Sequence, residues 1–286
     1  NKNYNIVSVF SQPARKKNRG MEVEPSPVEL LTKENNIAIH TPQKIDNEAY
    51  ELIKSYNPDL VIVIAYGLII PSHILNFPKF GFINVHFSLL PRWRGAAPVE
   101  HTLLSGDKKS GVSIIKLEEN LDSGPILSQK EILVEESMNK EILFNKLTET
   151  GTNLLLEILP EIFFEKVSFE YQANDKATYA NKITSEIRKI NFNNSSFKVI
   201  NQIRAFSPKP AAWFICNKDR ISILECDMDF CKSEASSIMN SKFHIGCKNG
   251  IIIPKIIQRE GRKPMNIEDF LRGYKFKINQ EVNVKN

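Results

Sequence analysis

Short apolar runs alternate with amphipathic helical segments along the first 166 residues, and this alternation restricts the fold more than any other feature of the chain. Residues 4–11, 59–66 and 80–88 are apolar and rich in β-forming side chains. The run at 59–66 is almost continuously apolar, which is typical of a strand covered on both faces. Strands that alternate with helices favour a doubly wound, mostly parallel sheet with helices on both faces. We therefore predict an α/β fold for this part of the chain.

The pattern changes after residue 140. Residues 140–166 form one long amphipathic stretch, in which we expect a break near Pro160 because proline lacks the amide that a helix interior needs. Residues 167–180 are polar and have no clear period, and the short β-rich runs that follow predict a small, mainly β domain. We therefore predict a Rossmann-like domain at 1–166, a linker at 167–180 and a second domain at 181–286.

The net charge of +5 is unevenly distributed. Residues 201–286 contain 15 Lys+Arg against 9 Asp+Glu, whereas residues 1–200 contain 23 against 24. A basic tail on a neutral body indicates a polyanionic partner, although a solvated lysine-rich surface explains the same counts. No apolar run reaches the length of a membrane-spanning helix, and no basic-then-apolar leader follows Asn1. The four cysteines include no Cys-x-x-Cys pair, so we do not expect a zinc site.

Three polar residues form a candidate catalytic set. Asn84 and His86 lie two residues apart at the end of a predicted strand, so their side chains share one face. Asp122 lies in a Leu-Asp-Ser-Gly turn between two further strands. A carboxamide donor, a group titrating near neutrality and a carboxylate suit attack on a carbonyl carbon by a bound nucleophile. The alternatives are a structural histidine and an aspartate that caps its own turn. Ser88 is a weak candidate nucleophile because it lacks a Gly-x-Ser-x-Gly elbow.

The longer string around these residues resembles a known signature. Asn-x-His-x-Ser-Leu-Leu-Pro-x-x-Arg-Gly at 84–95 is similar to the signature of the folate-dependent formyltransferases, and Leu-Asp-Ser-Gly at 121–124 matches their Leu-Asp-Thr-Gly. Further matches indicate the methionyl-tRNA formyltransferases in particular. They are found at residues 10–13, 25–28, 65–67, 92–98, 106–107, 111–114, 204–208 and 261–265.

The resemblance implies a reaction and its residues. The catalytic set would be Asn84, His86 and Asp122, and the folate site would be bordered by Ser88, Leu89, Leu90 and Pro91. The donor would be 10-formyltetrahydrofolate, and no metal would be needed. The methionyl α-amine would attack the formyl carbon, while Asn84 and protonated His86 stabilise the oxyanion.

The resemblance also implies the partner. Initiator methionyl-tRNA would be the acceptor, and the loop at 12–23 would enter its acceptor end. The residues expected to contact tRNA are Arg15, Lys16, Lys17 and Arg19. The domain at 181–286 would be an OB-like β-barrel that lies along the acceptor arm. We expect a monomer without membrane association, in the bacterial cytoplasm or an organelle matrix.

The chain departs from the family pattern in three places. The family usually begins with a strand and a Gly-Thr-Pro turn that are not found here, so we expect the first strand and helix to be missing and the chain to be unstable or inactive as it stands. Phe87 replaces a small residue, and we expect it to point away from His86. Asn191 and Phe192 replace an Asp-Trp pair of the second domain.

Other functions fit part of the sequence. A nucleotide-sugar amine formyltransferase would share the Asn/His/Asp set, and a formyl-folate hydrolase would use water as the acceptor. The basic loop and basic tail favour tRNA over both. A non-catalytic RNA-binding protein with the same fold is the alternative outside the enzymes, and the intact Asn84, His86 and Asp122 argue against it.

Overall fold

The structure of the chain is a computed structural model that describes residues 4–17 and 22–283, with the side chains of 15–17 and 22 left aside. The strands are β1 (Val9–Phe10), β2 (Arg15–Lys17), β3 (Glu22–Glu24), β4 (Ile39–His40), β5 (Val61–Val63), β6 (Phe82–His86), β7 (Arg94–Gly95), β8 (Lys109–Lys116), β9 (Ile126–Leu133), β10 (Tyr179–Ala180), β11 (Ala212–Cys216), β12 (Asp219–Asp229), β13 (Ile245–Cys247), β14 (Gly250–Arg259) and β15 (Met265–Asn266). The helices are α1 (Pro27–Glu34), α2 (Asn47–Ser55), α3 (Pro98–Ser105), α4 (Lys140–Phe163), α5 (Ser196–Phe206) and α6 (Ile267–Gly273).

The chain divides into two compact units. The first contains residues 1–86, 113–129 and 151–176, and the second contains residues 87–112, 130–150 and 177–286. The fold is mixed α/β, as predicted. Within the described residues no helix combines the length and the apolar character needed to cross a membrane.

The first unit contains parallel and antiparallel strand pairs. One sheet has the strand order β5-β6-β8-β9, of which β8 and β9 continue into the second unit. In it, β5 pairs parallel with β6, whereas β6 pairs antiparallel with β8. A separate parallel pair joins β1 to β4. The described strands therefore give a mixed arrangement rather than the mostly parallel sheet that the alternating pattern predicts, because β8 returns past β6 in the opposite direction.

Local sequence signals position the helices well. Ser26 precedes α1, and its Oγ accepts a hydrogen bond from the amide of Glu29 at 3.0 Å, while Pro27 occupies the first turn. A serine in this position satisfies an amide that has no partner within the helix. The long helix α4 runs to Phe163, so the expected break at Pro160 is wrong. Pro160 lies in the last turn, where the loss of one amide costs a single hydrogen bond and the chain leaves the helix anyway.

The segment expected as a basic loop contains a short hairpin. Strands β2 and β3 pair antiparallel, with Arg15 opposite Glu24 and Lys17 opposite Glu22. Backbone pairing between strands satisfies amides and carbonyls whatever the side chains are, which is why the polar composition gave no strand signal. Arg19 and its neighbours at 18–21 lie outside the described residues.

The second unit contains the mainly β region predicted after residue 181. Its sheet has the order β11-β12-β14-β13, with β15 paired to β14. Its core is aromatic: Phe192 is fully buried and meets Phe214 edge-on at 5.4 Å between ring centroids. Phe192 therefore serves as a core aromatic at one of the positions where the sequence departs from its family. Phe206 is also fully buried, whereas Trp213 is half-buried under the guanidinium of Arg220.

Replacing Gly246 with Ala should destabilise the second unit. A Cβ at this position in β13 would overlap the carbonyl oxygen of Glu234, so the backbone has to shift. Overpacking of this kind costs about 1–3 kcal/mol, which should lower the Tm by several degrees in a thermal melt. Gly273→Ala is the matched control, since a Cβ there meets no heavy atom within 4 Å and the Tm should stay within error. Equal Tm values for the two variants would contradict the packing argument.

Candidate active site

Strand β6 places Asn84 and His86 on the same face of the first unit. Asn84 lies opposite Val63 of β5 on one side and Ile115 of β8 on the other, and His86 lies opposite Ser113. A strand paired on both sides has little freedom to move, so the two side chains project from a rigid support. Side-chain alternation along a strand brings residues i and i+2 to one face, as the sequence predicts.

The turn between β8 and β9 brings Asp122 to these two residues. Asp122 has φ +48°, in the left-handed region that aspartate tolerates better than most residues. Gly124 follows it where a Cβ would overlap the carbonyl oxygen of Lys116. Glycine is therefore required for the turn to close against the end of β8. The turn is also held by Gln172, whose side chain donates to the carbonyls of Asp122 and Gly124.

The structure brings the three predicted catalytic residues together. The Asn84 Nδ2 donates to Asp122 Oδ1 at 3.3 Å, and the His86 Nδ1 lies 3.6 Å from Asp122 Oδ2. His86 is 5% exposed and Asp122 is 8% exposed, whereas Asn84 is half-buried. One oxygen of the Asp122 carboxylate thus faces the Asn84 carboxamide, and the other faces the His86 imidazole. Most water is excluded from these surroundings.

This arrangement has definite chemical capabilities. The Asn84 carboxamide nitrogen has two hydrogens, and only one is needed for the bond to Asp122. A carboxylate beside an imidazole can accept a hydrogen bond from the ring and fix its orientation. Together the residues place a carboxamide donor, an imidazole and a carboxylate around one point. No metal is needed for these roles, and among residues 4–17 and 22–283 no group of three or more His, Cys, Asp and Glu side chains is placed to hold one.

The residues expected to border a folate site form a fixed turn in the second unit. Ser88 is 1% exposed, and its Oγ donates to the carbonyl of Arg92 at 2.6 Å. Leu90 is buried, and the Leu90–Pro91 peptide bond is cis. Leu89 lies against Gly111, where a Cβ would come within 2.5 Å of the leucine Cδ2. Just before this turn, the Phe87 ring packs edge-on against Phe144 at 5.4 Å.

Asp107 forms hydrogen bonds to Arg92 and Trp93 beside this turn, and we call this set of contacts the Asp107 clamp. The sequence did not predict it. The Arg92 guanidinium donates to both carboxylate oxygens of Asp107 at 2.8 and 2.7 Å, and the Trp93 indole donates to Asp107 Oδ2 at 2.8 Å. Bidentate pairs of this kind are among the stronger side-chain hydrogen bonds. The Arg-Trp-Arg-Gly and Gly-Asp motifs contain these residues, but their pairing depends on a contact 15 residues apart that spacing alone does not show.

The predicted tRNA-contacting residues are placed only in part. Arg15, Lys16 and Lys17 form β2, and Arg19 lies outside the described residues. Three of the four basic residues therefore lie on one short strand.

Comparison with known families covers most of the chain. A family model described as formyl transferase matches residues 1–159, and a second, described as formyl transferase, C-terminal domain, matches residues 182–275. Asn84, His86 and Asp122 all fall within the first match.

Curated relatives match over nearly the whole chain. A methionyl-tRNA formyltransferase from Wolbachia sp. subsp. Drosophila simulans is 44% identical over 94% of this chain and 89% of its own length. A methionyl-tRNA formyltransferase from Pelagibacter ubique is 39% identical over 95% of this chain and 89% of its own length.

Solved structures share the fold at lower identity. An N-formyltransferase from Helicobacter canadensis, in complex with folinic acid and dTDP-3-aminofucose, has a TM-score of 0.64 at 22% identity and covers 86% of this chain and 87% of its own. HypX from Aquifex aeolicus, in complex with tetrahydrofolic acid, has a TM-score of 0.61 at 14% identity and covers 84% of this chain and 43% of its own.

Proposed function

Because this chain belongs to the methionyl-tRNA formyltransferases, we propose that Asn84, His86 and Asp122 form its reaction centre. The enzyme transfers the formyl group of 10-formyltetrahydrofolate to the α-amino group of methionyl initiator tRNA in translation initiation. The observation that carries the assignment of residues is the buried Asp122 carboxylate, which lies within 3.6 Å of both the carboxamide and the imidazole.

The proposed mechanism is direct transfer between two bound substrates. The neutral methionyl amine attacks the formyl carbon, a new C–N bond forms, and the carbonyl oxygen gains negative charge. The second N–H of Asn84 and the protonated His86 stabilise this oxyanion. The bond from the formyl carbon to the folate nitrogen then breaks, and the proton lost by the attacking amine ends on that leaving nitrogen.

Asp122 has two tasks in this mechanism. Its carboxylate keeps the imidazole of His86 oriented, and it takes part in moving the proton from the attacking amine. The amine has to be neutral to attack, so activity should fall toward acid pH as more of the substrate amine becomes protonated.

The remaining parts of the proposal concern substrate binding. The folate site is bordered by Ser88, Leu89, Leu90 and Pro91. The acceptor end of the tRNA is contacted by the basic residues Arg15, Lys16, Lys17 and Arg19.

The proposed domain limits are 1–166 for a Rossmann-like first domain, 167–180 for a linker and 181–286 for an OB-like barrel. The family matches at 1–159 and 182–275 support these limits. The basic charge of residues 201–286 supports tRNA contact there. The protein is proposed to be a monomer that acts in the bacterial cytoplasm or an organelle matrix.

Replacing Asp107 with Ala should weaken binding of the formyl donor. The change removes three hydrogen bonds that hold Arg92 and Trp93, and Ser88 is bonded to the carbonyl of that same Arg92. A loosened turn should raise the KM for the formyl donor about tenfold, which corresponds to roughly 1.4 kcal/mol, with a smaller change in kcat. Glu136→Ala removes an exposed carboxylate paired with the neighbouring Lys108 and is the control. If the KM for the formyl donor were unchanged in both variants, the turn at residues 88–91 would not be part of the folate site.

The assay that tests the function compares acceptors. Labelled 10-formyltetrahydrofolate is supplied with methionyl initiator tRNA, methionyl elongator tRNA or a nucleotide-sugar amine. We expect rapid transfer to the initiator tRNA and little to the other two. Preferred transfer to the sugar amine would assign the chain to the sugar formyltransferases, release of formate without an acceptor would make it a hydrolase, and tRNA binding without transfer would make it a non-catalytic RNA-binding protein.

A further inference from the structure

The polar segment after α4 reaches back to the turn that carries Asp122. Gln172 lies in this segment, and its Nε2 donates to the carbonyl oxygen of Asp122 at 2.8 Å and to that of Gly124 at 2.7 Å. We propose that Gln172 is a positioning residue for the reaction, acting through Asp122. The inference rests on the role proposed above for the Asp122 carboxylate.

The turn needs support because its own geometry is demanding. The left-handed region costs a residue with a Cβ roughly 1–2 kcal/mol, and aspartate, which has φ +48° here, tolerates it better than most residues but does not prefer it. Within the turn, Ser123 donates to the carbonyl of Asn120 at 3.4 Å through its amide and at 3.0 Å through its hydroxyl. The two Gln172 hydrogen bonds are shorter than both Ser123 bonds, and they hold the carbonyls of the residues before and after Ser123.

The chemistry of the carboxamide matches this task. An amide nitrogen carries two hydrogens, so one Gln172 Nε2 satisfies both the Asp122 and the Gly124 carbonyls. The segment that carries Gln172 is itself anchored, because Ile126 and Glu170 exchange two backbone hydrogen bonds of 2.8 and 3.0 Å. Gln172 is therefore held two residues from a fixed point on β9, the strand that follows the turn.

Gln172 would affect catalysis by orienting Asp122 rather than by contacting a substrate. The carbonyl of Asp122 fixes the peptide plane after the residue, and the backbone on both sides of Cα sets the direction of the Cα–Cβ bond from which the carboxylate extends. The Asp122 oxygens lie 3.3 Å from the Asn84 Nδ2 and 3.6 Å from the His86 Nδ1, so a shift of one ångström breaks one or both interactions. Misplacement by that distance at a reacting centre costs about 10²-fold in rate.

The test is the isosteric variant Gln172→Glu. A carboxylate has the size of the carboxamide but no hydrogen to donate, so it repels both carbonyls. We expect kcat for formyl transfer to fall about 10²-fold, with a smaller change in the KM values. The matched control is Gln202→Glu in the second unit, because the Gln202 Nε2 also bridges two backbone carbonyls, those of Ile187 and Lys189, at 2.8 and 3.0 Å. Its kcat should stay within about twofold of the unchanged protein, although the same kind of hydrogen bonds is lost.

A double-variant cycle separates positioning from general stability. In an Asp122→Asn background, Gln172→Glu should lower kcat no further than about twofold, because residues that act through one another are not additive. A further full loss in that background, or a kcat for Gln172→Glu equal to that of Gln202→Glu, would overturn the inference. If Gln172→Glu does not fold, Gln172→Met removes the donors without adding charge and takes its place. Full activity of Asp122→Asn alone would instead refute the proposed role of Asp122, which keeps the two failures distinct.

Discussion

Replacing His86 with Ala is expected to lower kcat for formyl transfer by about 10²–10⁴-fold, the range over which a positioned acid or base contributes. The imidazole is 5% exposed and faces a buried carboxylate. Bulk water therefore does not readily reach this position and take over the role of the imidazole. Affinity for methionyl initiator tRNA should not change, because this side chain is assigned to the formyl carbon rather than to the tRNA. Single-turnover transfer of the labelled formyl group, beside a filter-binding measurement with the same tRNA, gives both quantities.

Two further variants make this result interpretable. His86→Gln keeps a polar side chain near Asp122 and should fold with a Tm close to that of the unchanged protein, yet lose turnover to a similar extent. His73→Ala removes an exposed histidine of the same unit and should retain full activity. If His86→Ala and His73→Ala had the same kcat, His86 would be a structural histidine and the enzymatic role of this site would be lost.

Replacing Asn84 with Asp is expected to have an effect at least as large, with kcat lower by about 10³-fold or more. Removal of one oxyanion donor alone costs about 10²–10³-fold. The substitution keeps the size of the side chain but replaces the N–H donors by a carboxylate, 3.3 Å from the Asp122 oxygen that accepted the hydrogen bond. Two carboxylates at this separation do not both ionise readily, so the pair takes up a proton and the site loses its charge pattern.

The pH profile distinguishes this cause from misfolding. Partial recovery of kcat in the Asn84→Asp variant toward lower pH would reflect protonation of the carboxylate pair, opposed by protonation of the substrate amine. Asn279→Asp makes the same chemical change at an exposed position of the second unit and should leave kcat unaltered. An Asn84→Asp variant as active as Asn279→Asp would exclude the carboxamide as the oxyanion donor.

The parts of the site that lie on one strand followed directly from the sequence. Asn84 and His86 are two residues apart in an apolar run, and the two-residue period of a strand leaves only one way to place them. The start of α1 has a similarly local cause, because Ser26 and Pro27 act on backbone groups within one turn. The association of Asp122 with them was predicted from its turn between two strands and from the resemblance of motifs, and its distances to Asn84 and His86 became known only from the fold.

Features that depend on the tertiary fold were less predictable. The pair of β2 and β3 has a polar sequence that resembles a loop, and α4 continues to Phe163 despite Pro160. Gln172 lies in a segment with no period, so the sequence marked it only as part of a linker. Arg92, Trp93 and Asp107 lie in recognised motifs, but the spacing of the motifs does not show that their side chains meet.

The sequence by itself determined the α/β character of the chain, its family and the identity of its reactive groups, because periodicity and short motifs are properties of neighbouring residues. Only the tertiary structure decided the direction of β8 beside β6 and the approach of Gln172 to the turn of Asp122. Both depend on hydrogen bonds to backbone groups that are tens of residues away. Every residue type except proline has the same backbone donor and acceptor, so the sequence does not show where those bonds form.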